Sequence, residues 1–231
     1  MIALQSPAER RLMQALLAEF RSAAEQKLLL NIGANTSTVV EKVLQKEGVN
    51  FVCDRMDVTD PTIKESFPWH GKSFVASVEN MQGISSDTYQ GAFANFVLEH
   101  VEHVDRAAKE IHRILRPQGI FVCSIPNPEA PEFILSRHTS NDFHQYVRGY
   151  AEAAEAEAHH THYHYKSIKD FINLFEQSGF TVEAVWYDPA TYVYIHRFPV
   201  LKYISKTYDW IISRLGWKRL LGAVCIVFRK K

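Results

Sequence analysis

Seven apolar runs alternating with helical patterns constrain this chain more than any other feature. The runs are LLLNIG (28–33), NFVCD (50–54), SFVASV (73–78), GAFANFVL (91–98), IFVCSI (120–125), FTVEAVWYD (180–188) and AVCIVFR (223–229). They are rich in Val, Ile and Phe, as strands covered on both faces are. TVVEKVLQKEG (38–48) reads as a helix ending at a glycine cap. KSIKDFINLFEQSG (166–179) reads as a second, with Ser167 and Asp170 as a capping box and Gly179 as its stop. Its Ile168, Phe171, Ile172 and Phe175 share one face. Ahead of the first run, SPAE at 6–9 supplies an N-cap Ser6, a first-turn Pro7 and a box-closing Glu9. Leu12, Leu16 and Phe20 then predict a leading helix to about residue 25. Strands alternating with helices predict an α/β fold: a seven-stranded, mostly parallel sheet with helices on both faces.

At 231 residues the chain has the length of one sizeable core. It contains no run of 18 apolar residues, which argues against a membrane span. The opening MIALQSPAERR places charges where a signal peptide would need apolar residues, so a cytoplasmic protein is expected. Cys53, Cys123 and Cys225 each sit inside an apolar run without metal-ligand spacing, and are expected as buried free thiols. The net charge of zero hides a split: from His196 onward there are nine Lys or Arg against one Asp. Such a tail suits an anionic partner or an acidic face of its own protein.

The middle of the chain, FVLEHVEHVDRAAKEIHRILRPQGIFVCSIPNP (96–128), reads as strand, loop, helix, turn, strand. Asp105 is the expected N-cap, and Val104, Ala108, Ile111 and Leu115 the buried face. Pro117 is expected to stop the helix and Gly119 to allow the reversal into the next strand. A right-handed crossover follows, with Glu99 and His100 at the carboxyl rim where such sheets bind ligands.

These residues resemble the central block of the class I S-adenosylmethionine-dependent methyltransferases of the small-molecule type. Leu98-Glu99-His100-Val101, Glu110-Ile111-His112-Arg113, Leu115-Arg116-Pro117-Gln118-Gly119 and Pro126-Asn127 carry the likeness, with Gln118 in place of a glycine. It runs from Leu28 to about residue 128 and resumes at YHYKSIKDFINLFEQSGF. The resemblance implies a Rossmann-like sheet whose last strand forms an antiparallel hairpin at one edge. It also implies S-adenosylmethionine as cofactor, and one domain over 1–231. Within that domain lie a leading helix (1–26), an acceptor-side insertion (129–165) and a basic amphipathic helix with the last strand (196–231).

By the same resemblance, the cofactor lies along the loops that follow the first four strands. NIGANTS (31–37) occupies the glycine-rich loop: Asn31 stands where an acid is usual, Gly33 is kept, and Ala34 and Asn35 follow. Asn tolerates left-handed backbone, so the turn is expected to survive while the negative charge does not. Asp54 fits the acid that binds the ribose hydroxyls, with Arg55 beside it and Asp57 as its substitute one turn on. Ser77, Val78 and Glu79 fall around the adenine, and Asn95 and Phe96 near the methionyl end. A nicotinamide enzyme would need Gly-x-Gly-x-x-Gly after the first strand, and NIGANTS does not supply it.

Methyl transfer needs a base only for some acceptors, and histidine suits that task near neutral pH. His100, His144 and His164 are the candidates. Six of the eleven histidines lie between His138 and His164. HHTHYH (159–164) has no fixed ligand pattern, and no metal is expected even though Glu155 and His159 lie one helical turn apart. AEAAEAEA (151–158) before it reads as a solvated helix.

VLKYISKTYDWIISRLG (200–216) reads as an amphipathic helix with Leu201, Ile204, Tyr208, Ile211 and Leu215 on one face. Lys202, Lys206, Arg214, Lys218 and Arg219 flank it, with Trp210 and Trp217 nearby. Such a stretch rests either on a membrane interface or on its own core, and core packing is the expectation. No nucleic-acid motif appears. The reading is a methyltransferase acting on a small molecule, a sugar or a lipid-linked intermediate. A non-catalytic relative that uses the same fold for binding is the alternative.

Overall fold

Strands form at all seven apolar runs. The structure, a computed structural model, describes residues 6–136, 165–196 and 198–231. The strands are β1 (Lys27–Ile32), β2 (Phe51–Asp57), β3 (His70–Val75), β4 (Tyr89–Asn95), β5 (Leu115–Pro126), β6 (Phe180–Asp188) and β7 (Ala223–Lys230). They make one sheet in the order β3-β2-β1-β4-β5-β7-β6. β7 runs antiparallel to both β5 and β6, and the other pairings are parallel.

The described helices are α1 (Pro7–Phe20), α2 (Val39–Lys46), α3 (Val104–Ile114), α4 (Pro131–Ser136), α5 (Ile168–Gln177), α6 (Thr191–Ile195) and α7 (Leu201–Leu215). Period-two alternation along the strands sends neighbouring residues to opposite faces. Leu30 and Ile32 join Phe121, Ile226, Ile111, Phe171 and Phe175 on the α3–α5 side. Leu29 joins Cys53, Phe93, Leu12, Leu16 and Phe20 on the α1–α2 side. On the first side, Phe175 stacks on Phe228 at 4.4 Å between ring centroids and on Phe121 at 5.5 Å. The three cysteines are free and buried, and burial pushes the Cys225 thiol up to about 12.

Several local expectations need correction. α1 ends at Phe20 rather than near 25, and its capping box is half made. Ser6 Oγ accepts from the Glu9 amide (3.1 Å), while the Glu9 carboxylate turns to Asn95 instead. α3 begins at Val104, and Asp105 lies inside its first turn, paired with Lys109 (3.4 Å). The cap comes from outside the helix: Glu79 Oε1 accepts from the amides of Glu102 (2.9 Å) and His103 (3.1 Å). β3 ends at Val75, short of the expected 78.

At the other end of α3 the chain passes straight into β5 at Leu115, before Pro117 is reached. The left-handed residue there is Gln118 (φ +64°), not Gly119. Gly119 is required for a different reason, since a Cβ would sit 2.8 Å from the Arg116 carbonyl oxygen.

The largest departure is α7. Leu201, Ile204, Ile211 and Leu215, expected in the core, are 41–59% exposed. Its buried positions are Ser205, Asp209 and Ile212, with the Asp209 carboxylate accepting from the Tyr192 amide (2.8 Å). No helix among the described residues is long and apolar enough to cross a membrane.

Candidate functional site

The strand order reverses between β1 and β4, and open α/β sheets bind ligands at the carboxyl side of that point. The loops after the two strands touch there. Gly33 has φ +68°, and a Cβ on it would lie 2.2 Å from a Val97 methyl. Both the left-handed turn and the close approach require glycine at this position.

The rest of the loop is held from beneath by a buried ion pair. Arg55 is fully buried in β2, and its Nη1 meets Glu41 Oε1 of α2, itself 1% exposed. Arg55 Nη2 donates to the carbonyls of Ala34 (3.1 Å), Asn35 (2.8 Å) and Ser37 (2.9 Å), and Nε to Pro61 (3.3 Å). Asn31 Nδ2 donates to the same Glu41 oxygen (2.7 Å). An acid therefore does lie beside Asn31, supplied by α2 rather than by β1. Asn35 takes the left-handed conformation expected of it, at φ +41°. Among the described residues Glu41 Oε2 has no hydrogen-bond partner.

Arg55 cannot double as a ligand for a cofactor. All three of its nitrogens are committed to Glu41, the loop carbonyls and Pro61, and none is open to solvent.

Asp54 also needs correction. It lies three residues before the end of β2 and is 6% exposed. Its carboxylate accepts from the Lys72 amide (2.7 Å) and the Tyr89 hydroxyl (2.8 Å), binding β2 to its neighbours. Burial and the Asp54 carboxylate together push the Tyr89 hydroxyl well above its ordinary range. Asp57 is the acid at the carboxyl end of β2. It faces the β1 loop, with Oδ2 accepting from the Asn35 amide (2.9 Å) and Oδ1 from Thr59 N and Oγ1 (both 3.0 Å). A carboxylate has about four acceptor positions. One on the loop-facing oxygen thus stays available.

After β3, Ser77 is exposed and its hydroxyl accepts from the Glu79 amide (3.2 Å), while Val78 is buried with Ile32, Met56 and Leu98. The Glu79 carboxylate caps α3 through Oε1. After β4, Asn95 Nδ2 donates to Glu9 of α1 (3.1 Å), and its Oδ1 is buried without a partner among the described residues. Phe96 takes φ +55° and packs against Ala8, Ala190 and Ala223, on the side of α1. His100 closes a short 3-10 turn (Leu98–His100), a third exposed, with Nε2 3.9 Å from Glu99 Oε1. His144 and His164 lie outside the described residues, as do HHTHYH and Glu155 with His159.

The N-terminal end of α1 closes over this edge. Ser124 Oγ of β5 donates to the Ala8 carbonyl (3.2 Å), and Arg11 Nε lies 3.6 Å from Asp188 at the end of β6. Burial raises the Glu9 and Asp188 carboxyls above their ordinary range. The sequence marks Glu9 only as a capping residue and carries no local signal for Glu41.

The family profile described as "Methyltransferase domain" matches residues 4–185. No curated protein matches the chain. Among solved structures, an S-adenosylmethionine-dependent methyltransferase from Mesorhizobium loti is 18% identical at a TM-score of 0.61, over 96% of this chain and 98% of that one. A putative sarcosine dimethylglycine methyltransferase from Galdieria sulphuraria is 12% identical at 0.59, over 96% and 82%. Phosphoethanolamine N-methyltransferase 2 of Haemonchus contortus, solved with S-adenosyl-L-methionine, is 14% identical at 0.59, over 99% and 54%. With its strand order and this match over most of its length, the chain belongs to the class I methyltransferase family.

Proposed function

We propose that the protein transfers a methyl group from S-adenosylmethionine to a small molecule, a sugar or a lipid-linked intermediate. The observation that carries this reading is the pairing of Asp57 with the left-handed β1 loop at the sheet's switch point. Two features of that edge fit the cofactor. Asp57 keeps acceptor capacity for a ribose diol. Asn95 Oδ1 is a buried acceptor still lacking a donor among the described residues, which suits an ammonium group. Gly33, lacking a Cβ, lets the Val97 side chain lie directly against the β1 loop and fix the two loops to each other.

Bound there, the cofactor would supply an activated methyl group on a sulfonium. Transfer to an acceptor's lone pair would leave the electron pair of the broken carbon–sulfur bond on sulfur. The chain's own part is to orient and to exclude water. The Arg55–Glu41 pair fixes the loop, Asp57 and Asn95 set the cofactor's two ends, and α1 covers the edge. His100, a third exposed at the rim, takes the acceptor's proton where the acceptor is a hydroxyl.

A second reading, a binding domain without transfer, is favoured by one observation. The amides of Gly33 and Ala34 both bond to the Met56 carbonyl (2.8 and 3.0 Å), and those of Asn35 and Thr36 to Asp57 and to Asn35 Oδ1. Those four amides are thus already used within the protein. Calorimetric titration with S-adenosylmethionine separates the readings. Saturable binding, weakened about 30-fold or more in Asp57→Ala by loss of a charged acceptor, is the expected result. A folded protein that binds none overturns the enzyme reading.

A further inference from the structure

Among the described residues, eight of the eleven exposed large hydrophobics fall between Val200 and Trp217. Trp210 is 62% exposed, Tyr203 66%, Ile204 59% and Trp217 53%. Helical spacing places Ile204, Ile211 and Leu215 in one row along α7, with Tyr203 and Trp210 in the next. The inward row is Ser205, Asp209 and Ile212, so a single large apolar residue of the helix is fully buried. In water this arrangement is the reverse of what a surface helix normally adopts.

The charges of the segment point the same way. Lys202, Lys206, Arg214, Lys218 and Arg219 lie in or just after α7, and its one acid, Asp209, is buried. The Arg214 guanidinium lies 5.8 Å from the centre of the Trp210 ring, so cation and aromatic share one patch. Arg219 is paired with Glu129 at 3.3 Å. The remaining four cations have no carboxylate partner among the described salt bridges.

We infer that this face of α7 is a docking surface for an anionic lipid bilayer. An amphipathic helix of this composition lies in the interface plane, with its apolar rows in the acyl boundary and its cations among the headgroups. Trp and Tyr are the side chains that settle at that depth. A second copy of the chain is a poorer occupant, since a two-fold contact through this face would bring two sets of cations together.

Topology gives the surface its meaning. α6 and α7 fill the connection from Asp188, the end of β6, to Ala223, the start of β7. Ala223 also pairs with Pro126, the last residue of β5. The connection therefore leaves from the carboxyl edge of the parallel strands, the edge that holds Asp57, Asn95 and His100. Asn127 Nδ2 ties it down by donating to the carbonyls of Lys218 (3.0 Å) and Leu221 (2.8 Å). Docking through α7 would set that edge at the lipid surface. The inference itself stands on α7 and does not depend on methyl transfer.

The test is sedimentation with vesicles of phosphatidylcholine alone, or mixed with phosphatidylglycerol, using the full chain. Binding to the mixed vesicles only is expected. Each cation near an anionic surface strengthens binding about fivefold, so Lys206→Gln with Arg214→Gln should weaken it about 25-fold. Trp210→Glu with Ile211→Glu should abolish it, and Lys46→Glu, on the exposed face of α2, should leave it unchanged. All these positions are exposed, and an unchanged melting temperature shows that each variant folds. Absence of binding to mixed vesicles overturns the inference, as does binding that the α7 variants retain. A wild-type dimer that ignores vesicles, and that Trp210→Glu with Ile211→Glu converts to monomer, would assign the face to a second copy instead.

Discussion

At the residue scale, the two aspartates of β2 divide the labour that the sequence suggested for one. Asp54 satisfies the Lys72 amide and the Tyr89 hydroxyl inside the sheet. Its replacement by Ala orphans both donors, at a cost of about 2–4 kcal/mol. Chemical denaturation should show that loss, while cofactor affinity measured on the folded fraction stays within about threefold of wild type. The sequence could not separate the two roles. A strand is read as ending at its first charges, and Asp54-Arg55 looked like such an end. Tyr89, 35 residues away, and Glu41, 14 residues away, are what make those charges tolerable inside a strand. Long-range partners of this kind leave no local mark. Asn35, by contrast, was legible, because its left-handed backbone is a property of the residue itself.

At the element scale, strands were read well, as were the caps supplied by a helix's own segment: Ser6 and Ser167 accept from the Glu9 and Asp170 amides. All seven strands appear where β-branched and aromatic residues cluster; burial on both faces is written into the central runs, while β3 at the edge has no buried residue. The cap that was missed belongs to a residue outside its helix. α3 is capped by Glu79, so Glu79→Ala should cost about 1 kcal/mol, visible as a lower melting temperature without loss of the sheet. α1 presents a different case, because burial raises the Glu9 carboxyl and the Asn95 hydrogen bond only partly offsets it. A raised folded-state value means that stability present below the ordinary carboxylate range is lost as pH rises through the folded value. Glu9→Gln removes that loss. The variant should melt higher than wild type at neutral pH, and the gap should close as the pH falls through the carboxylate range. For α7, hydrophobic period identified the helix but not which of its faces turns inward. Asp209 is held inside by the Tyr192 amide, a contact no periodicity predicts.

At the scale of the whole molecule, the sheet order positions everything else. The strand order reverses between β1 and β4, Gly33 and Val97 pack together just beyond their carboxyl ends, and α1 closes the edge through Ala8, Glu9 and Arg11. The β6–β7 connection then carries α7 away from that same edge. The architecture was legible because alternating strands and helices permit few topologies. The cofactor edge was legible only in outline, since the family's glycines and acid are replaced here by an ion pair drawn from two separate elements, β2 and α2. The most direct measurement of this account is a crystal structure with S-adenosylhomocysteine. The account predicts the ribose hydroxyls within about 2.5–3.2 Å of the Asp57 carboxylate, and the amino group at Asn95 Oδ1. A ribose on Asp54, or an edge left empty at saturating ligand, would contradict it.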